Sequence, residues 1–490
     1  MPRVSSPIVS RRLLVVSILP AALALVLTAP YASAADWAQF RGPNASGVAE
    51  QSGPLPAEFS FEKNVRWALP LGDGIASPII VGDRAFVTAM SGPETFAVYG
   101  LDADSGKILW QTELPTGKLP PITQPNGHAS STPASDGQRV YVYFSTLGLL
   151  AFDAADGHEV WRHTLPQPAY LMDWGAAVSP IVYKDLVIFD QDDDLSPYLL
   201  AVDAKTGVER WKTPRPEMLA GYSVPVLCEA EGRTDLVVAG TGKMKGYDPA
   251  TGKELWTCNT LLRTIMTTPV VKDGVIYISV QSYGDTDRVL KFALLEWKDT
   301  NQDGKLTKAE LPREFWDRFD KADADHDSFL AGAELDTAFQ SPSNMSGGGS
   351  IVQAIQGGGS GDVTKTHVLW NLQKSKAPSN VCSPLLTNGR LFLVKRGGLS
   401  SCFDSKTGET IWQTKRIKNL GEYYASPVAA DGKIFAINDE GIMVVLADEP
   451  EVKVLSKNDM GASCLATPAI ARGAIFIRTR EKLFCIGEGN

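Results

Sequence analysis

Five segments of the chain carry one pattern: "LDADSGKILW" from 101, "FDAADGHEVW" from 152, "VDAKTGVERW" from 202, "YDPATGKELW" from 247 and "FDSKTGETIW" from 403. Each has an Asp, a Gly four residues later and a Trp four residues after that. The physics is that of a strand, a tight turn and a strand. The Asp bonds turn backbone, the Gly supplies an unusual dihedral, and the Trp opens the next strand. A Trp is large and flat with one N–H to satisfy, which suits packing between neighbouring sheets. A second recurrence is a Pro followed by a β-rich run, at Pro78, Pro133, Pro180, Pro225, Pro269, Pro384, Pro427 and Pro468. The successive intervals are 55, 47, 45, 44, 115, 43 and 41 residues. A period near 45 with four short strands is that of a propeller blade. The expected fold is all-β, an eight-bladed propeller, with extra sequence in blade five.

Within a blade, strand A follows the Pro, B is a run such as "RVYVYF", C ends at the Asp, and D holds the Trp. The last blade has no D strand after "KLFCIG", and Trp67 in "NVRWALPLG" is unclaimed. Residues near 64–69 are therefore expected to complete blade eight, closing the ring and removing an exposed edge. Blade seven has "VKVL" where a Trp is expected.

The surplus in blade five lies between strands B and C and reads as a small α-helical EF-hand pair. "DTNQDGKLTKAE" from 299 and "DADHDSFLAGAE" from 323 have the spacing of calcium loops. Ca²⁺ takes six to eight hard oxygens. Asp299, Asn301, Asp303 and Thr307 offer side-chain oxygens, Lys305 a backbone carbonyl and Glu310 a bidentate carboxylate. The second loop offers Asp323, Asp325, Asp327, the Phe329 carbonyl and Glu334. It has Ser328 where the first has Gly304, which makes the sharp turn costlier, and Ala331 brings no ligand. "RVLKFALLEW" from 288 and "LPREFWDRFDKA" from 311 read as helices. Leu306 and Leu330 share loop position 8, where paired loops join by a short β-bridge. The expected divisions are a signal peptide over 1–35, propeller over 36–283, the insert over 284–349, and propeller again over 350–490.

The Asp…Gly…Trp repeat resembles that of the pyrroloquinoline-quinone (PQQ) propeller superfamily, which includes quinoprotein alcohol dehydrogenases and the outer-membrane assembly-factor propeller. The likeness covers nearly all of the chain outside the leader and the insert. "DWAQFRGPNASG" from 36, "GHASSTPASDGQRVYVYF" from 127 and the embedded calcium loops resemble most the exported PQQ-like propellers of planctomycete-type bacteria. The resemblance implies fold and leaves the chemistry open.

Arg11 and Arg12, an apolar run and "ASAA" read as an export signal. The mature chain is expected in the periplasm or secreted, with no membrane span. Removing Arg3, Arg11 and Arg12 leaves 44 basic against 56 acidic residues, net −12. That charge disfavours nucleic acid as a partner. Cys228, Cys258, Cys382, Cys402, Cys464 and Cys485 are too sparse for a disulfide scaffold and have no zinc spacing. Cys382 and Cys402 fall on strands A and C of one blade, about 9–10 Å apart, beyond the roughly 7 Å a disulfide tolerates. Buried thiols are expected.

Antiparallel strands put the B–C and D–A connections on one face. That face would carry the insert, the acidic "DQDDDLS" at 190–196, and His128, Asp173, Trp174, Tyr222, Arg263, Glu422, Tyr423 and Tyr424 around a ligand mouth. These residues lie on separate blades, so no nucleophile–base spacing is readable. The resembling dehydrogenases place two adjacent Cys beside a calcium-bound quinone. This chain has no Cys–Cys pair, so PQQ is not expected and calcium is the expected cofactor. The expected role is binding or scaffolding of an envelope protein or glycan. The alternatives are a PQQ-dependent oxidoreductase acting on an alcohol or sugar, and a polysaccharide-active propeller.

Overall fold

Each repeat period folds into one antiparallel sheet, because its apolar runs are joined by turns short enough to make hairpins. In blade three the strands are Ile181–Tyr183, Leu186–Gln191, Tyr198–Asp203 and Glu209–Pro214, hydrogen-bonded in that order. The second is buried along its whole length, whereas the outermost alternates and buries Trp211. A strand covered on both faces by neighbouring sheets must be apolar throughout, and a peripheral strand need bury only one face. The computed structural model describes residues 1–2, 36–170, 173–216, 218, 221–260, 265–282, 291, 294–295, 298–311, 313–339, 349–374, 381–417 and 419–488. The chain divides into Met1–Ser33 and Ala34–Asn490. The expected leader falls almost wholly outside the described residues. Among the described residues the second unit holds eight sheets, the eight blades of an all-β propeller.

Blade eight is built from both ends of the chain. Val65–Pro70 runs antiparallel to Lys482–Ile486, with Trp67 opposite Cys485. Blade seven ends in Val454–Asp459, a strand without Trp.

The Trp repeat is a latch between blades. The indole N–H of Trp110 donates to the Ala154 carbonyl in the next blade at 3.1 Å, and Trp161 to Ala204 at 3.0 Å. Trp67 closes the circle onto Ala103 at 3.0 Å. Each ring lies against the turn glycine of the following blade. A Cβ on Gly157 would fall 2.3 Å from Trp110, so that residue is glycine for space as well as for its φ of +75°. Trp256 and Trp412 face blades five and seven, whose C–D connections lack the Asp…Gly turn. Both bond within their own blade instead, to Asp235 and Ser400.

Residues 36–49 cross the ring. Trp37 exchanges backbone bonds with Ile80 of blade one, and Ala38 accepts from Ser135 of blade two. Asn44 exchanges bonds with Leu227 of blade four, Arg41 donates to Pro384 of blade six, and Val48–Ala49 pairs in parallel with blade seven. A segment touching innermost strands on opposite sides must pass over the axis. Arg41 is fully buried, and burial pushes its guanidinium down to about 9.

The insert lies between Val275–Ser282 and Gly349–Gln356 of blade five. The expected helix over 311–322 is a 3₁₀ turn, Arg313–Phe315, continuing into helix α1, Trp316–Ala322. Helix α2, Gly332–Phe339, follows the second loop. Of the expected helix at 288–297, the described residues 291, 294 and 295 are helical. Leu306 and Leu330 exchange both backbone bonds, at 3.1 and 2.8 Å. Phe315, Phe319, Leu335 and Phe339 join them in a separate core.

Candidate functional site

The residue before each recurring Pro faces the axis, and there the blades meet in a cavity of about 570 Å³. Seven of these eight residues carry a hydroxyl and the eighth is Val224. They are tied around the axis by one repeated bond, in which the N–H of one donates to the hydroxyl oxygen of the next. Ser77 donates to Thr132 at 3.1 Å and Thr132 to Ser179 at 2.9 Å. Beyond Val224, which has no hydroxyl to offer Ser179, the chain resumes. Val224 donates to Thr268, Thr268 to Ser383, Ser383 to Ser426 and Ser426 to Thr467, all at 2.9–3.1 Å. The recurring Pro marks these positions in the sequence, but the sequence reading did not identify the hydroxyls before them as a ring.

Three of the expected mouth residues, Trp174, Tyr222 and Tyr424, line this cavity together with Phe40 of the crossing segment. Tyr222 stacks on Tyr170, centroids 5.2 Å apart, and stands 6.3 Å from Trp174. Burial first, then Asp194, raises the Tyr222 phenol well above its usual range. His128 and Asp173 line an adjoining cavity of about 240 Å³, with Tyr170 and with Lys298 and Phe315 from the insert. Burial lowers the pKa of His128 against the opposing pull of Asp73, which favours neutral imidazole. Glu422 is not among the residues lining the cavity and pairs with Arg396 at 2.5 Å. Tyr423 does not reach the cavity. It is buried in the core between blades six and seven, accepting from Asn419 at 3.2 Å. Arg263 lies outside the described residues.

The acidic segment 190–196 is not the exposed rim that its composition suggests. Asp190, Asp192, Asp193 and Asp194 are all buried, with Asp192 matched by a buried arginine and Asp193 by backbone N–H groups. Arg215 grips Asp192 with two bonds, 2.8 and 2.6 Å, and donates to Tyr247 at 2.7 Å. Burial works against the Arg215 charge, but the Asp192 carboxylate outweighs it and holds the guanidinium ionised. Burial, then the Asp192 carboxylate, pushes Asp190 well above the carboxylate range. Asp193 accepts from the N–H groups of Ala169, Leu195 and Ser196. The Asp192 carbonyl accepts from Gly221 at 2.9 Å, and a Cβ there would strike the Asp192 side chain at 2.8 Å. Segment 190–196 thus fixes the residues preceding both Tyr170 and Tyr222. On its other side the Leu195 carbonyl accepts from Arg318, and the Leu195 side chain packs on the insert core. Sequence reading missed Tyr170 and Arg215, for which no local signal exists.

In the first acidic loop, Asp299 accepts from Asp303 and Gly304, and Glu310 from Thr300 and Thr307. The Thr307 N–H first among these holds the Glu310 carboxyl low, with burial opposing. In the second, one oxygen from each of Asp323, Asp325 and Asp327 lies within 4.8 Å of the others. Ser328 takes the left-handed conformation of Gly304, with φ +69° against +76°. All six cysteines are buried free thiols.

The family of the outer membrane protein assembly factor BamB matches residues 61–172, 94–314 and 334–488. BamB of Yersinia pestis is 25% identical over 267 residues, covering 50% of this chain and 63% of that protein. A polyvinylalcohol dehydrogenase of Pseudomonas sp. is 30% identical over 163 residues, 30% of this chain and 24% of the enzyme. The chain therefore spans about a quarter of the dehydrogenase and less than two-thirds of that BamB. The crystal structure of BamB from Moraxella catarrhalis shares the fold, with TM-score 0.53 at 15% identity over 86% of this chain and 95% of that one. The chain belongs to the family of the outer membrane protein assembly factor BamB, the PQQ-repeat propellers.

Proposed function

We propose that the protein is an exported, calcium-binding propeller that acts in the cell envelope as a binding or scaffolding module for a protein or glycan. The observation that carries this reading is the cavity wall, where aromatics from separate blades are held by buried salt bridges and backbone bonds. Such a wall offers shape and stacking to a ligand. The insert supports it: calcium in the two acidic loops would stiffen the body that rests on Leu195, and through segment 190–196 the residues behind Tyr170 and Tyr222. Two carboxylate-rich loops whose partners now are mostly backbone N–H groups suit a hard divalent cation. Calcium titration by calorimetry tests this. Glu310→Gln and Glu334→Gln should each remove one binding event, and unchanged stoichiometry in both would retire the assignment.

The similarity to a polyvinylalcohol dehydrogenase favours a second reading, an oxidoreductase acting on an alcohol or sugar with PQQ. The cavity fits that cofactor poorly. Among the described residues lining it there is no cationic side chain to pair with the quinone's carboxylates, and buried unpaired charge is costly. Dye reduction after loading with PQQ and calcium, over a panel of alcohols and sugars, separates the two. Turnover above background would overturn the binding reading.

A further inference from the structure

The hydroxyl ring has chemistry to spare. Each bond around the axis uses one lone pair of a Ser or Thr oxygen, which leaves that residue's O–H to donate. Six such groups, together with the Ser77 hydroxyl, converge on the cavity. A purely apolar ligand seated there would leave these donors without partners, at a cost of about 1–3 kcal/mol for each one buried. A polyanion would meet hydroxyls and aromatics and, among the described lining residues, no counter-charge. The ligand that fits is neutral, rich in oxygen acceptors around its edge, and apolar on its faces. The aromatic wall supplies the complementary surface, since Trp174 and Tyr222 both present rings to the cavity. The amides of Gln124 and Asn126, also on the lining, add donors and acceptors. A volume of about 570 Å³ falls within the roughly 300–1,000 Å³ of small-molecule sites.

We propose that the axial cavity binds a neutral saccharide, with a sugar face on Trp174 and Tyr222 and its oxygens turned to the hydroxyl ring. This rests on reading the chain as a binding module and names the ligand class for it. One ring member allows a clean test. Ser77 donates its N–H to Thr132, and no neighbour's N–H among the ring bonds described above ends on its hydroxyl. Ser77→Ala therefore removes a cavity donor and leaves every one of those backbone bonds in place.

The experiment uses the full exported chain saturated with calcium. Neutral mono- and disaccharides, with glucuronate as the acidic control, are screened by saturation-transfer NMR and titrated by Trp fluorescence. At least one neutral sugar should bind and glucuronate should not. Ser77→Ala should weaken that sugar by roughly five- to tenfold with an unchanged melting temperature, the share of one hydrogen bond. Trp174→Ala should weaken it more than tenfold. If no neutral sugar binds, if glucuronate binds as tightly, or if both variants bind like the parent, the saccharide assignment is overturned. The binding reading fails separately, through turnover in the dye assay.

Discussion

Gly106→Ala should damage the ring closure, and in a Trp67→Ala background the steric part of that damage should disappear. The backbone at Gly106 has φ +71°, and an added Cβ would lie 2.5 Å from the ring of Trp67, the latch between blades eight and one. A left-handed L-residue costs roughly 1–2 kcal/mol. Forcing extra volume against a packed side chain costs about 1–3 kcal/mol. Gly106→Ala is thus expected to cost about 3 kcal/mol. Gly82 is the control. Its φ is +58° and nothing lies within 4 Å of a Cβ built on it, so Gly82→Ala should show the dihedral cost alone, about 1–2 kcal/mol. Trp67→Ala empties a largely buried site and leaves the Ala103 carbonyl unpaired, at about 3–5 kcal/mol. Once the indole is gone, Gly106→Ala should cost no more than the control. The double mutant should therefore be about 1–3 kcal/mol more stable than the sum of the single effects. Guanidinium denaturation of the four proteins and the control, analysed by linear extrapolation, measures each difference. Additive effects, or Trp67→Ala costing less than about 1 kcal/mol, would show that strand Val65–Pro70 does not lock the last blade to the first.

The thiols give a pH prediction. Burial pushes Cys228, Cys382, Cys402, Cys464 and Cys485 up to about 12. Unfolded thiols ionise near 9, so between those limits the unfolded chain holds fewer protons and stability falls as pH rises, by up to about 1.4 kcal/mol per unit per thiol. Arg41 and Arg478, pushed by burial down to about 9 and about 10, act in the opposite sense, while the buried tyrosines, also raised by burial, join the thiols above about pH 10. The denaturation midpoint should drop steadily from pH 9 to pH 11, and a flat or rising midpoint would refute the assignment. A thiol reagent at pH 8 should label none of the six in the native protein and all six in denaturant. Asp192→Asn should cost about 3–5 kcal/mol, because it strands the buried Arg215 charge. A loss under about 1 kcal/mol would mean that water reaches Arg215.

The blades were legible because a period of about 45 residues, with Trp and Pro at fixed places, reports backbone structure directly. The same logic reached Trp67, since a ring with one strand missing had to take it from the other end. Latch direction was less accessible, and the departures of Trp256 and Trp412 needed knowledge of which neighbouring turn was absent. Site residues were legible as a face, not as a set: the D–A segments placed Trp174, Tyr222 and Tyr424 on the cavity and could not tell that Tyr423 turns into the core.

Segment 190–196 shows why the remainder was hidden. Four aspartates in five residues look like a solvated loop, and by composition that is the cheaper place for them. They are buried because Arg215 arrives from 23 residues on, and because Ala169, Leu195 and Ser196 offer N–H groups to Asp193. The Arg215 and Ala169 matches are tertiary facts with no periodic trace, and the Leu195 and Ser196 bonds are a local turn around Asp193. Yet burying charge is worthwhile only where position matters more than the desolvation it costs. Here the position is shared by the Tyr170 and Tyr222 loops on one side and by the insert on the other. A plain apolar loop could fill the same space and still offer its carbonyl to Gly221, but it would give Arg215 no carboxylate to fix the loop's position. The buried acids therefore sit where the insert and the loops carrying Tyr170 and Tyr222 meet.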